Sequence, residues 1–447
     1  MPVVREAVDA IDAGPLRAAA AQILVACFPL LLADMVRRAH PMTFDQFQLL
    51  PSDGGALAPG LAEDDADIVT TSAWIDVSRG AVLLRLPPTL GRYFNLTLFD
   101  TAGEPFASLG SRSGDDAGVD LALIGPSWQG SPPAGFVAKR APSEGVWAVS
   151  RTHARSAADR PDTVALARLQ RIASLGGDVD GRQAGVRGFE LPSSPCLRRA
   201  VETKAPVFFQ RLDSLLARAP EYFRDGVLAQ VTTLRNELGG PPPAHRWSAD
   251  FARALSQGLS DGFTAIKTAA DADGGASGWR AARPLENGNI LARAARAYAG
   301  MGARVRAELL TLVCERDDSG RRLSGADSYH IRFPVGRLPP ARSGWRLSAR
   351  PPAAADTRHG LSDRDELVLD RSGVLDVVVG RTPGDAGGGA NWLPAPDGGF
   401  SLVMNLCWPK PEALNGVWSM PPVERLESAW GASSSTRSPR AGRPHTQ

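Results

Sequence analysis

Two stretches of the chain are built from short runs of alternating apolar and polar residues, punctuated by glycine and proline. Around 93–99, Phe94, Leu96 and Leu98 fall on one side, and Tyr93, Asn95 and Thr97 on the other. That is the period of a strand with one buried face. The same reading predicts strands at 72–77, 81–86, 121–124 and 147–151, turned by Asp100-Thr101-Ala102-Gly103 and Gly125-Pro126. The rhythm returns at 329–333, 345–348 and 374–379. Asn391 to Pro396 reads as a rigid extended arm, because Pro394 and Pro396 fix φ and remove amide donors. Asp397-Gly398-Gly399 turns the chain into a strand in which Phe400, Leu402, Met404 and Leu406 share the buried side.

Elsewhere the period is helical. Residues 6–38 predict a helix broken at Pro15, kinked at Pro29, with Ile23, Cys27, Leu30, Leu31 and Met35 on one face. Asp34 follows the apolar run and is expected to pair with Arg37 or Arg38. Apolar stripes at 206–216 (Phe208, Phe209, Leu212, Leu215, Leu216) and 228–238 predict two more helices, the second stopped by Gly239-Gly240. Ser248 is an N-cap for a helix through Leu259, and 290–298 forms another. Short strands around a helical middle argue for mixed α and β structure with antiparallel sheets. The expected division is 1–155, a helix plus antiparallel sheet; 156–327, a mainly helical connection; 328–430, a β-sandwich; and 431–447, a disordered tail.

Composition narrows the function classes. At 447 residues and a net charge of +2, the chain has room for two or three domains and carries no field that would draw it to nucleic acid. The apolar run 18–33 is read as too short to span a membrane, and the residues before it are too acidic for a signal peptide. A cytoplasmic protein is expected, or a periplasmic one if the true start lies upstream. Cys27, Cys196, Cys314 and Cys407 are far apart and form no C-x-x-C, against a zinc knuckle; Cys27 and Cys407 sit in apolar runs and read as buried free thiols.

Several familiar patterns fail on context. Gly258-Leu259-Ser260-Asp261-Gly262 fits G-x-S-x-G, but a nucleophile elbow needs a strand before it, and this one lies in a helical stretch. Asp178-x-Asp180-Gly181 lacks the closing Glu of a calcium loop, and Gly387-Gly388-Gly389 lacks the Lys of a phosphate loop. His153 and His330, in or beside sheet, read as packed histidines. What remains is a polar group at strand ends, Asp76, Arg92, Asp100, Arg112 and Arg151, together with Trp74, Trp147 and Trp392. Arginine forks take carboxylates or phosphates, so a convergence of these residues would make an aromatic-walled pocket for an anionic or polyhydroxylated small molecule. The competing reading is that the acids and arginines pair and hold domains together.

These residues also carry a resemblance. Phe28 to Met35 with Arg37-Arg38, Ser72 to Ser78, Gly91-Arg92-Tyr93-Phe94, Phe99-Asp100, Gly125 to Gly130 and Val146 to Thr152 resemble the domain of unknown function 1254. Tyr329 to Phe333, Leu338-Pro339-Pro340, Asn391 to Pro396 and Trp408-Pro409-Lys410-Pro411 resemble the domain of unknown function 1214. The resemblance implies two interlocked domains, the C-terminal one a jelly-roll-like β-sandwich, and names no reaction. Gln46 and Gln48 stand where members often carry a histidine. The expected function is a small-molecule-binding protein with its site between the domains. The alternatives are a hydrolase with an Asp or His base in that cleft, and an assembly protein without a site. No cofactor is indicated, no metal site is expected, and a homo-oligomer stays open.

Overall fold

The protein is described from a computed structural model, which covers residues 13–40, 46–51, 56–61, 67–175, 187–188, 192–224, 227, 231, 247–271, 278–281, 290–351, 360–383 and 391–426. The predicted helix at 228–238 (apart from Val231), the Asp178–Gly181 pattern, the Gly387-Gly388-Gly389 loop and the 431–447 tail lie outside the described residues.

Helix α1 (Ala13–Ala39) is the hub of the N-terminal half. Its predicted face is buried, and so are Leu24, Phe28 and Leu32 on the other sides. A helix that is apolar all round needs neighbours all round. They are α3 (Cys196–Val201), α4 (Ala205–Ala217), α5 (Ala249–Asp271) and α6 (Ile290–Gly300); the short α2 (Arg160–Ala167) packs on the sheet instead. Pro15 sits in the first turn of α1, where its missing N–H costs nothing, and the helix runs on through Pro29. This corrects the reading of 18–33 as too short: Gly14–Ala39 is 26 residues of one helix, long and apolar enough to cross a bilayer by length and composition, and most of it is buried inside the protein. Ser248 caps α5 as expected, its Oγ accepting from the Phe251 N–H at 3.2 Å.

Among the described residues, ten strands build the N-terminal half: β1 (Gln48–Leu49), β2 (Ile68–Asp76), β3 (Val82–Leu86), β4 (Phe94–Phe99), β5 (Pro105–Gly110), β6 (Val119–Ile124), β7 (Val137–Arg140), β8 (Gly145–His153), β9 (Arg171–Ser174) and β10 (Arg187–Gly188). They form a six-stranded sheet, β10-β1-β2-β8-β4-β5, and a four-stranded sheet, β7-β6-β3-β9. Alternation assigns the faces. Ala73, Ile75, Leu96, Leu98, Val146 and Ala148 meet Val82, Leu84, Leu121 and Leu123 in a core between the sheets. Trp74, Phe99, Trp147 and Val149, one residue out of phase, join the core around α1. The larger sheet is therefore covered on both faces, which explains why polar Thr71, Ser72, Asn95 and Thr97 are buried.

The described residues of the C-terminal half form nine strands: β11 (Trp279–Ala281), β12 (Leu309–Cys314), β13 (Tyr329–Phe333), β14 (Trp345–Arg350), β15 (Gly360–Ser362), β16 (Leu375–Gly380), β17 (Asn391–Pro394), β18 (Ser401–Cys407) and β19 (Glu424–Arg425). The orders are β11-β12-β18-β14-β15 and β17-β16-β13-β19. One core joins the two sheets: Leu347, Leu402, Met404 and Leu406 from the first, Ile331, Phe333, Val377 and Leu393 from the second. The expected antiparallel pairing holds for most of the fold. Among the described residues three pairs are parallel, β1–β10, β6–β7 and β16–β17. Each involves an edge strand reached by a connection longer than a hairpin. The segment between the halves is not helical throughout, since β9 returns to the first half and β12 enters the second.

Candidate functional site

The eight residues singled out from the sequence fall into separate places. Trp74 and Trp147 do come together: opposite each other on β2 and β8, their rings stack at 5.8 Å and 4°. Trp147 donates its indole N–H to Ser72 Oγ at 2.8 Å, and Ser72 Oγ lies 3.2 Å from His40 Nε2. His40 is buried at the end of α1, and desolvation pushes its pKa down to about 3. Trp392 belongs to the other half, where its indole N–H donates to the Gly380 carbonyl at 2.9 Å beside the β16–β17 pair.

The charged members are engaged in structure. Arg92, buried, forks onto Asp159 at 2.9 and 2.7 Å and also donates to Thr163 Oγ1. Hydrogen bonds from Arg155 and Arg92 hold the Asp159 carboxyl well below the usual range. Arg151 is fully buried and donates to the Gly60 and Gly302 carbonyls, fastening β8 to the turn at 59–61 and to the end of α6. Asp76 is exposed and accepts the Ser78 N–H. Arg112 donates to Glu308 at 2.7 Å across the two halves. Asp34 takes both expected partners, Arg37 at 2.8 Å and Arg38 at 2.6 Å, with Arg218 at 3.3 Å.

Asp100 closes its own turn. Its Oδ1 accepts the N–H groups of Ala102 and Glu104, and its Oδ2 accepts the Tyr222 hydroxyl at 2.6 Å. Burial raises its pKa to about 6, against the pull of the Tyr222 hydroxyl, the Ala102 N–H and the charges of Arg293 and Arg296. An acid raised on folding contributes stability that is fully present below its unfolded pKa, 3.8, and lost as pH rises through about 6. Urea midpoints should show wild type losing about 1.4 kcal/mol more than Asp100→Asn between about pH 5 and pH 8. Parallel pH curves for the two proteins would remove Asp100 as the titrating group.

The feature that the two halves share is a cleft of about 420 Å³, counting the part open to solvent. Ile68 and His153 line it from β2 and β8, Arg304 from the connection after α6, and Trp345, Arg346, Asn405 and Cys407 from β14 and β18; Asp363 and Arg364 follow β15. The parity of β14 and β18 explains the last group. Leu347, Met404 and Leu406 face the C-terminal core, so Arg346, Asn405 and Cys407 face out, toward the N-terminal half. This corrects the expectation for Cys407: Cys27 is buried, its thiol pushed up to about 12 by desolvation, but Cys407 is only half-buried and lines the cleft.

His153 is packed, as expected, but packed within this cleft. Arg304 Nη1 lies 2.7 Å from its Nε2, and the edge of Tyr93 meets its ring at 5.0 Å. A guanidinium can only donate, so Nε2 holds the lone pair and Nδ1 the proton. Burial, then the charges of Arg304, Arg364 and Arg151, drive its pKa well below the usual range, and the imidazole is neutral. Beneath the cleft, Tyr93 and Ser108 donate their hydroxyls to the buried Glu308, which Arg112 also reaches. Trp408, next to Cys407, is one of two non-glycine residues with positive φ among those described, at 49°. Its ring meets both Tyr93 and the Arg342 guanidinium, and its backbone N–H donates to the Glu308 carbonyl. A strained residue held by both halves marks the seam as a constrained place. Sequence reasoning missed Arg304, Arg346, Arg364 and Asn405; the polar phase of β14 and β18 was the available signal.

Comparison with known proteins agrees with this architecture. Residues 44–173 match the family described as "Protein of unknown function (DUF1254)", and residues 308–411 match "Protein of unknown function (DUF1214)". The fold is similar to the crystal structure of the VPA0106 protein from Vibrio parahaemolyticus, with TM-score 0.60 at 17% identity, over 92% of this chain and 100% of that one. An uncharacterised protein from Burkholderia cenocepacia aligns with TM-score 0.44 at 12% identity, over 92% and 94% of the two chains. No curated protein matches the chain. With both domains present, in order and over just over half of its residues, the chain belongs to the DUF1254/DUF1214 family.

Proposed function

We propose that the protein binds a small anionic molecule, a carboxylate or a phosphate, in the cleft between its two halves. The observation that carries this reading is the charge of the lining among the described residues: three guanidinium groups, Arg304, Arg346 and Arg364, against one carboxylate, Asp363, with Asp67 behind Arg364 at 3.8 Å. Asp363 is itself occupied, accepting the Trp345 N–H at 3.1 Å. Guanidinium groups with low-dielectric walls at their back favour an oxyanion, and the planar fork suits its two oxygens. Asn405 adds an amide. The reading of His153 as a hydrolytic base is weaker, because its lone pair already faces a guanidinium and its site disfavours the protonated form.

Native mass spectrometry of freshly purified protein, followed by calorimetric titration with inorganic phosphate and with citrate, tests the proposal. One of the two anions should bind saturably, and Arg346→Ala should weaken that binding by about tenfold or more, the worth of one charge-assisted pair. No mass excess and no heat from either anion, or equal affinity in Arg346→Ala, would overturn it.

A further inference from the structure

We propose a second binding site, between α1, β2 and α4, that takes a small amphipathic carboxylate. It is a cavity of about 280 Å³, counting its open part, separate in its lining residues from the cleft between the halves. Leu30, Ala33 and Leu215 give it an apolar side; Asp34, Arg37, Arg218 and Trp74 give it a polar one.

Two independent observations point to an occupant. The first is the Trp74 indole. Trp74 lines the cavity and is buried, and its Nε1 meets no acceptor among the described residues. Its stacked neighbour Trp147 shows the ordinary solution, a donated bond to Ser72. A buried N–H without an acceptor is costly, and an oxygen entering the cavity would relieve it. The second observation is charge. Asp34 is contacted by Arg37 and Arg218, which line the cavity with it, and by Arg38 outside the lining, so the carboxylate is outnumbered by guanidinium groups. Arg218 is half exposed and only 3.3 Å from Asp34, which leaves its fork room to serve a second carboxylate. A ligand carboxylate fits both demands. One oxygen accepts from Trp74, the charge is balanced by Arg218 and Arg37, and a short hydrocarbon body lies along Leu30, Ala33 and Leu215.

The test uses full-length protein with indole-¹⁵N tryptophan, the Trp74 resonance assigned by Trp74→Phe. Hexanoate is the probe, and 1-hexanol is its uncharged counterpart. The Trp74 N–H signal should move saturably with hexanoate, and 1-hexanol should bind about tenfold more weakly or worse. Arg218→Gln, at a partly exposed position that should fold normally, should weaken hexanoate at least several-fold, with the urea midpoint unchanged. Arg346→Ala should leave the hexanoate titration as in wild type, which separates this site from the cleft. A Trp74 signal unmoved at saturating probe would mean that water alone satisfies the indole, and would overturn the proposal. Equal binding of 1-hexanol, or full affinity in Arg218→Gln, would overturn the carboxylate assignment.

Discussion

Arg112→Met is expected to destabilise the folded chain by about 3 kcal/mol, although Arg112 was singled out from the sequence as a ligand residue. The reason is what it leaves behind. Glu308 is about 1% exposed and accepts from three side-chain donors, Tyr93, Ser108 and Arg112. Removing the cation strands a buried carboxylate between the halves, with two hydroxyls as its remaining side-chain donors here. Breaking a buried pair from one side typically costs about 3–5 kcal/mol, and the lower end applies because Arg112 itself is 37% exposed on its side chain. The accompanying test is the triple variant Arg112→Met, Glu308→Leu, Tyr93→Phe. It removes the stranded charge and one of the two hydroxyls that donate to it, leaving only that of Ser108 without its acceptor, so it should lose less stability than Arg112→Met alone. Urea midpoints at constant m-value read both effects. A neutral Arg112→Met, or a triple variant that loses the sum of its parts, would show that the Glu308 cluster does not hold the seam.

The limits of the sequence reading have physical causes. Strands with clean alternation were legible: 329–333 matches β13, and Phe400, Leu402, Met404 and Leu406 all lie in the core. Strands without it were not. β7 is exposed at three of its four residues, and β5 starts at a proline and is half-buried up to its last residue, so neither shows a period. β17 was legible as an extended arm but not as a strand, because its partner β16 is parallel and set by tertiary contacts. Pro394 ends the strand at a sheet edge, where a missing donor is tolerated, and Pro396 lies just beyond it. The Asp34 pairing was legible because i,i+3 and i,i+4 neighbours on a helix must meet. The Arg112–Glu308 and Arg92–Asp159 pairs were not, because the chain between the partners folds through other elements first. The cleft fails in a subtler way. That Arg346, Asn405 and Cys407 share a face follows from parity; that this face meets the N-terminal half does not.

Gly258→Val should cost about 3 kcal/mol or more, and the cause lies in the stretch that imitates a nucleophile elbow. Gly258, Ser260 and Gly262 are interior to α5, with Ser260 exposed and both glycines turned toward α1. A Cβ at 258 would lie 2.4 Å from the Arg17 carbonyl oxygen and 2.6 Å from the Ala20 Cβ. Neither can retreat, because α1 is gripped on every side. At 262 a Cβ would meet the Ala21 carbonyl at 3.0 Å and the Leu24 Cδ2 at 3.1 Å, a contact that a few tenths of an ångström relieves. The pattern that matters is therefore Gly-x-x-x-Gly, a notch that lets two helices approach, and the serine between is incidental. Gly262→Ala should stay within about 1 kcal/mol of wild type, since alanine's better helix propensity offsets the crowding by about that amount. Ser260→Ala should change stability by less than about 0.5 kcal/mol. Thermal and urea unfolding of the three variants measure the ordering. If Gly262→Ala proves worse than Gly258→Val, the close approach of α1 and α5 is centred elsewhere. If Ser260→Ala proves the most damaging, the serine has a partner that this packing does not supply, and the elbow reading returns.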